Sequence, residues 1–248
     1  MEASEYSRLY RLESGCWLFR GRRMIIRSVL PNHRRPRHAL DLGCGTGRWL
    51  CDLQRTADHV VGLDLSRTAL DFCHRRTDSP LCQGTALRLP FRRETFDLAT
   101  ALDVCEHLDD DRAALAELAR VTRPGGWIML TVPAFPFLWS AHDRALWHRR
   151  RYTARVLGER VRAAGFTVHR LSYFNCFVFG AAALYRLARN AFGSRERAAT
   201  DFDAVPAFLD PLLLAFSRLE TCLLRRVNLP FGLSLLCLAR KEPPRHAR

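Results

Sequence analysis

The chain has 248 residues, 48% hydrophobic and 26% charged, a balance that excludes disordered and fibrous classes and suits one α/β domain with embellishments. Thirty-nine basic residues against 25 acidic ones leave a net charge of +14, which brings nucleic acid and anionic surfaces in as partner classes. The excess is uneven: residues 1–37 carry +6, 38–143 carry −4, 144–170 carry +7, 171–217 are neutral and 218–248 carry +5.

In chain order, residues 1–30 read as one or two helices. Residues 38–42 form a short strand that runs into a glycine-rich turn, followed by helical spacing over 47–57 with Leu50 and Leu53 on one face. A second apolar strand over 59–63 ends at Asp64, and Ser66 is placed to cap a helix carrying Ala69, Leu70 and Cys73. A strand over 96–102 precedes a helix capped by Asp109 to Asp111, which stops at Arg123-Pro124-Gly125-Gly126 before a strand over 127–132. This alternation predicts a doubly wound, parallel sheet. Further on, a helix over 154–164 ends at Gly165, and a strand follows over 166–173. An amphipathic helix spans 176–192 with Arg186 and Arg189 on one face. Asp210-Pro211 reads as N-cap and first residue of a helix over 211–226, whose Leu212, Phe216, Leu219 and Leu223 share a stripe. Residues 233–239 form a last strand.

The nine cysteines form no Cys-x-x-Cys pair, so free thiols in a reducing compartment are expected. Residues 1–30 lack the unbroken apolar run of a signal peptide. The longest uncharged apolar stretch, 171–185, would span roughly 22 Å as a helix, short of a bilayer core of about 30 Å. No transmembrane helix is expected, and the predicted location is the cytoplasm, either free or peripheral at the inner face of the membrane.

The turn Asp41-Leu42-Gly43-Cys44-Gly45-Thr46-Gly47 joins a strand to a helix, and its alternate glycines let the backbone turn sharply and approach a ligand. Asp64, at the end of the second strand, is placed to accept hydrogen bonds from ribose hydroxyls. A dinucleotide fingerprint needs Gly-x-Gly-x-x-Gly; here the third glycine comes one residue early and Arg48 stands in its place, which disfavours NAD. Asp41, before the turn, suits a cationic amino-acid moiety better than a pyrophosphate. Ribose, adenine and an α-amino acid together describe S-adenosyl-L-methionine.

On these residues, with Leu89-Pro90-Phe91, Phe96-Asp97, Asp103 to Leu108 and Arg123 to Gly126, the chain resembles the class I S-adenosylmethionine-dependent methyltransferases. Within that class it is similar to the group typified by the ubiquinone and menaquinone methyltransferases. The resemblance runs from about residue 38 to 133. It implies a Rossmann-like, mostly parallel seven-stranded sheet. It also implies a cofactor site in which Asp41, Gly43, Cys44, Gly45, Thr46 and Gly47 form the turn and Asp64 takes the ribose. Leu65, Thr85 and Ala86 flank the adenine, and Asp103, Val104 and His107 close the site. Thr85 stands where the family often has an acid. The implied division is an N-terminal helical cover over 1–37 and a cofactor core over 38–173. An amphipathic insert follows over 174–230, then the last strand with a basic tail over 231–248.

Two clusters are candidates for the chemistry. Asp103, Glu106 and His107 share a face if helical, and residues of these types at this spacing are linked to a divalent metal in the resembling quinone O-methyltransferases. The preferred reading is that they shape the cofactor site, with no metal. The loop after the 127–132 strand lies at the ligand-binding end of such a sheet. It holds the preferred catalytic set: His142 as general base, Asp143 orienting it, and His148. There, Phe135, Phe137 and Trp139 could wall an apolar acceptor, and Arg149 to Arg151 could hold a phosphate or carboxylate. Trp17 and Phe19 are further candidates for the acceptor pocket.

The expected acceptor is a small or lipid-like molecule, anionic in one reading, methylated at oxygen. Nucleic acid is disfavoured, because Asp103-Val104-Cys105-Glu106 lacks the signature of base-amine methyltransferases. An RNA-directed enzyme and a non-catalytic binding protein of the same fold remain the alternatives. The insert helices, flanked by Arg186, Arg189, Arg218, Arg225 and Arg226, could lie in an anionic membrane interface or pack over the sheet.

Overall fold

The computed structural model describes residues 3–31, 35–191 and 205–242. Two helices come first, α1 (Ala3–Gly15) and α2 (Trp17–Val29). Then strands and helices alternate: β1 (His38–Leu42), α3 (Arg48–Leu53), β2 (His59–Asp64), α4 (Arg67–Cys73), β3 (Leu81–Gln83), β4 (Phe96–Leu102), α5 (Asp111–Val121) and β5 (Thr122–Pro133). The remainder is α6 (Ala141–Ala145), α7 (Ala154–Ala163), β6 (Phe166–Phe174), α8 (Phe179–Ala191), α9 (Asp210–Leu224) and β7 (Ser234–Lys241). The seven strands form one sheet in the order β3-β2-β1-β4-β5-β7-β6. β1 to β5 pair in parallel, and β7 runs antiparallel to both β5 and β6.

Strand periodicity builds the two helical layers. Ile128, Leu130 and Val132 of β5 face one side, with Leu115 and Leu118 of α5 and Leu157 and Val161 of α7. Met129 faces the other side, with Ile25 and Ile26 of α2, Leu50 and Leu53 of α3, and Leu224 of α9. The expected Rossmann-like architecture is therefore present.

Local signals acted as expected at several ends. The Ser66 hydroxyl accepts from the Ala69 amide, and the Asp110 carboxylate accepts from the Ala113 amide. Other expectations are corrected. Arg123 to Gly126 do not follow the helix as a loop; they lie inside β5, which begins at Thr122 and carries a register irregularity against β4. β3 was not foreseen, because three residues offer too little period to read. Asp210 is the first residue of α9 and not its cap, which is Leu209. The Leu212, Leu219 and Leu223 stripe faces outward, while α9 buries Leu214, Ser217, Glu220, Thr221 and Leu224. All nine cysteines are free. Among the described residues no helix is long and apolar enough to cross a membrane. The basic tail from residue 243 lies outside the described residues.

Candidate functional site

The strand order reverses between β1 and β4, so the connections leaving these strands part and open a crevice at their carboxyl ends. A cavity of about 720 Å³ sits there. Gly43 and Gly45, from the turn after β1, line its floor, and Asp64 and Leu65, after β2, line one end with Thr85 and Ala86. Asp103, Val104 and His107, after β4, lie further along, and His142 and His148 come from the loop after β5.

Backbone conformation fixes the floor. Gly43 has φ +70, and a Cβ there would lie 2.4 Å from Val104 Cγ2. Gly45 has φ +53 and nothing within 4 Å of the place a Cβ would take, so that volume is left open toward the cavity. Asp64 is held by two amides: Ser66 N donates to Oδ1 at 2.8 Å and Gly45 N to Oδ2 at 2.9 Å. Burial nonetheless raises its carboxyl above the usual range, against those bonds.

Asp41, Cys44, Thr46 and Gly47 do not line the cavity. Cys44 is buried with the α3 and α4 core. Thr46 turns its hydroxyl to Glu13, and Gly47 caps α3 in the left-handed region. Asp41 is 2% exposed beneath the turn; Thr100 Oγ1 donates to its Oδ1 at 2.8 Å, and Oδ2 is buried without a partner. Burial, resisted by the Thr100 bond, pushes this carboxyl up to about 7. The folded chain therefore binds the Asp41 proton more tightly than the unfolded chain. The resulting stability is complete below 3.8 and is lost as pH rises through about 7. Asp41→Asn is expected to abolish this slope, which approaches about 1.4 kcal/mol per pH unit, while keeping the Thr100 bond. Urea melts of both proteins between those pH values check it; parallel curves would contradict it.

The N-terminal cover supplies residues that the sequence reading missed. Tyr6, Leu9 and Glu13 of α1 line the cavity, as does Arg22 of α2. Arg76 clamps α1 down: its guanidinium bonds Glu13, the Tyr10 carbonyl and the Thr46 hydroxyl, and lies 3.8 Å from the Tyr10 ring centroid. The available signal was the i, i+3, i+7 spacing of Tyr6, Leu9 and Glu13. Of the two aromatic candidates, Phe19 lines the cavity; Trp17 is buried and is not among the lining residues. Asp103 holds a positive φ of 54, its carboxylate taken by Arg22 and by Thr131 Oγ1 at 2.8 Å.

At the acceptor end, Asp143 is wholly buried and both its oxygens are in use. Oδ1 meets His148 Nδ1 at 2.9 Å and Arg151 Nε at 2.8 Å, and Oδ2 accepts from the Ser140 amide at 2.9 Å. His148 and Arg151, with the Ser140 amide, hold this carboxyl well below the usual range against its burial. The imidazole oriented by Asp143 is thus His148, five residues on, and not the expected neighbour His142, whose ring lies 6.3 Å from that of His148. The expected anion site at Arg149 to Arg151 is also corrected. Arg149 pairs with Asp109 and Arg150 with Asp111, and Arg151 pairs with Asp143. Arg149 and Arg150 knit the loop to the start of α5, and Arg151 ties α6 to the Ala134 carbonyl after β5.

Glu106 and His107 lie on a 3-10 turn after β4. Glu106 is fully buried with neither carboxylate oxygen partnered, and burial, then Asp103, raises its carboxyl well above the ordinary value. Burial and His148 push His107 down to about 4, so it is neutral at physiological pH. Donor atoms of Glu106, His107 and His148 lie within 4.8 Å of one another and are of types that could hold a divalent cation. This set differs from the one suggested by spacing, because Asp103 is committed to Arg22 and His148 has taken its place.

Residues 40–130 match the model of a family described as a methyltransferase domain. That stretch is a methyltransferase domain. A demethylmenaquinone methyltransferase of Bacillus licheniformis is 37% identical over 98 residues, covering 37% of this chain and 42% of that one. An O-methyltransferase of Aspergillus nomiae is 34% identical over 99 residues, covering 37% and 44%. The chain thus matches about two-fifths of the length of these curated relatives. The N-methyltransferase NodS of Bradyrhizobium japonicum, solved with S-adenosyl-L-homocysteine, shares the fold with a TM-score of 0.60 and 15% identity over 96% of this chain and 97% of its own. The open volume at Gly45 and the amide-held Asp64 carboxylate suit a backbone-cradled nucleoside.

Proposed function

We propose that the chain is an S-adenosylmethionine-dependent methyltransferase that carries the methyl group to an oxygen of a small or lipid-like acceptor. The observation that supports this best is one continuous cavity, bounded at one end by the glycine turn and Asp64 and at the other by the Asp143-oriented His148. Gly43 and Gly45 would lie against the methionine part and Asp64 against the ribose, with Leu65 and Ala86 beside the adenine. Thr85 contributes shape, since its hydroxyl accepts from the Leu87 amide. In the same proposal residues 38–173 and 231–248 are the core, 1–37 the cover and 174–230 an insert.

The bound cofactor supplies an electrophilic methyl on a sulfonium. The chain has to align an acceptor oxygen and exclude water, and alignment alone is worth roughly 7–11 kcal/mol. His148 has its Nδ1 tied to Asp143, which leaves Nε2 to take the hydroxyl proton as the oxygen attacks. The ionised Asp143 stabilises the resulting imidazolium, and His142 and the neutral His107 flank it. Phe19, Leu146 and Trp147 give the acceptor an apolar wall.

His148→Ala is expected to lower the transfer rate by about 100- to 10,000-fold while calorimetric affinity for S-adenosylmethionine stays the same. Labelled-methyl transfer into the organic-soluble fraction of a lysate provides the assay. Full rate in the variant at saturating cofactor would remove the base, and titration by NAD in place of S-adenosylmethionine would remove the reading.

A further inference from the structure

Helix α8 is built inside out. Its one buried residue is an arginine: Arg186 is 7% exposed and lines the cavity, whereas Leu184 is 71% and Leu187 45% exposed. At about 100° per residue, Ala181 and Leu184 fall on the side of the helix opposite Arg186. Exposed leucines singly are ordinary, but a buried arginine under an exposed apolar face is informative.

Helix α9 repeats the pattern. Against α2 it buries Ser217, Glu220 and Thr221 beside Leu214 and Leu224, and a Cβ on Gly21 of α2 would lie 2.3 Å from Ser217 Oγ. The outward stripe of Leu212, Leu219 and Leu223 is left 51%, 50% and 38% exposed. The segment leading into α8 meets α9, since Phe177 stacks on Phe216 at 5.4 Å and the Cys176 amide donates to Glu220 at 3.0 Å.

Charge identifies the occupant. Exposed Arg218, Arg225 and Arg226 flank the stripe on and just beyond the end of α9. Of the acids described in these helices, Glu220 is buried and Asp210 sits at the start of α9. A second copy of the chain would set these arginines against their own kind. An anionic bilayer meets both the cations and the apolar side chains, as an interfacial helix requires.

We propose that α8 and α9 seat the protein on an anionic membrane surface, with the cavity on the reverse side of α8. This surface goes beyond the catalytic reading and does not depend on which group acts as base.

Flotation of the full chain with vesicles of phosphatidylcholine containing phosphatidylglycerol, against phosphatidylcholine alone, tests it. The chain is expected to float with the anionic vesicles only, and less so as salt rises. Leu184→Asp with Leu219→Asp is expected to lower partitioning by about 100-fold, and each of Arg225→Ala and Arg226→Ala by about five-fold. Both leucines are exposed, so an unchanged melting temperature and unchanged S-adenosylmethionine titration of the double variant separate this result from misfolding. Any of three results overturns the proposal: no flotation at low salt, equal flotation of wild type and double aspartate variant, or a stable dimer with Leu184 and Leu219 in its interface. Cofactor titration of the same sample reports on the methyltransferase reading, so the two fail independently.

Discussion

Asp143→Asn is expected to destabilise the protein by about 3–5 kcal/mol, since it removes one partner of a buried ion pair and leaves the other charge uncompensated. The stranded group is Arg151, whose side chain is 2% exposed and also donates to the Ala134 carbonyl at 2.8 Å. The same carboxylate closes the capping box of α6 with Ser140. Asp143→Asn with Arg151→Met removes both charges and is expected to recover most of the loss, because no buried charge is then left uncompensated. Urea melts of the single and double variants check this; a double variant no more stable than Asp143→Asn would refute the ion-pair account. The pH dependence has the opposite sign to that of Asp41. Asp143 is held below its unfolded value, so its contribution is present above 3.8 and is lost as pH falls.

Gly43→Ala is expected to cost about 2–5 kcal/mol, combining left-handed strain with a close contact. The new methyl would meet Val104 Cγ2 at 2.4 Å, and a β-branched neighbour has few rotamers with which to yield. Because Gly43 and Val104 both line the cavity, S-adenosylmethionine affinity is expected to fall with stability. Gly43→Ala with Val104→Ala should regain the contact share and keep the strain share, so the two substitutions should couple by about 1–3 kcal/mol. Additive effects in thermal melts and cofactor titrations would show that Val104 does not set the limit.

What was legible in the sequence was local. The strand and helix sides of the glycine turn, the carboxylate at the end of β2 and the caps at Ser66 and Asp110 each depend on residues a few positions apart. Their chemistry survives transfer into the fold. The period of α9 was legible too, but which of its faces turns inward was not. Gly21 of α2 and the Cys176 amide draw Ser217 and Glu220 inward, and both partners are remote in sequence.

The charge of +14 divides along the same line. Composition and segment counts alone established a mildly acidic stretch over 38–143 and basic segments over 1–37, 144–170 and 218–248. Only the tertiary structure decided what the arginines do. Arg149 to Arg151 are consumed by Asp109, Asp111 and Asp143, Arg186 turns to the cavity, and Arg218, Arg225 and Arg226 stay outside around an apolar stripe. Asp143 shows why. Sequence adjacency suggested His142, but the chain folds back to bring His148 and Arg151 onto one carboxylate oxygen. A buried charge takes the partners that geometry brings within hydrogen-bond distance, and that distance is set by the fold and not by order along the chain.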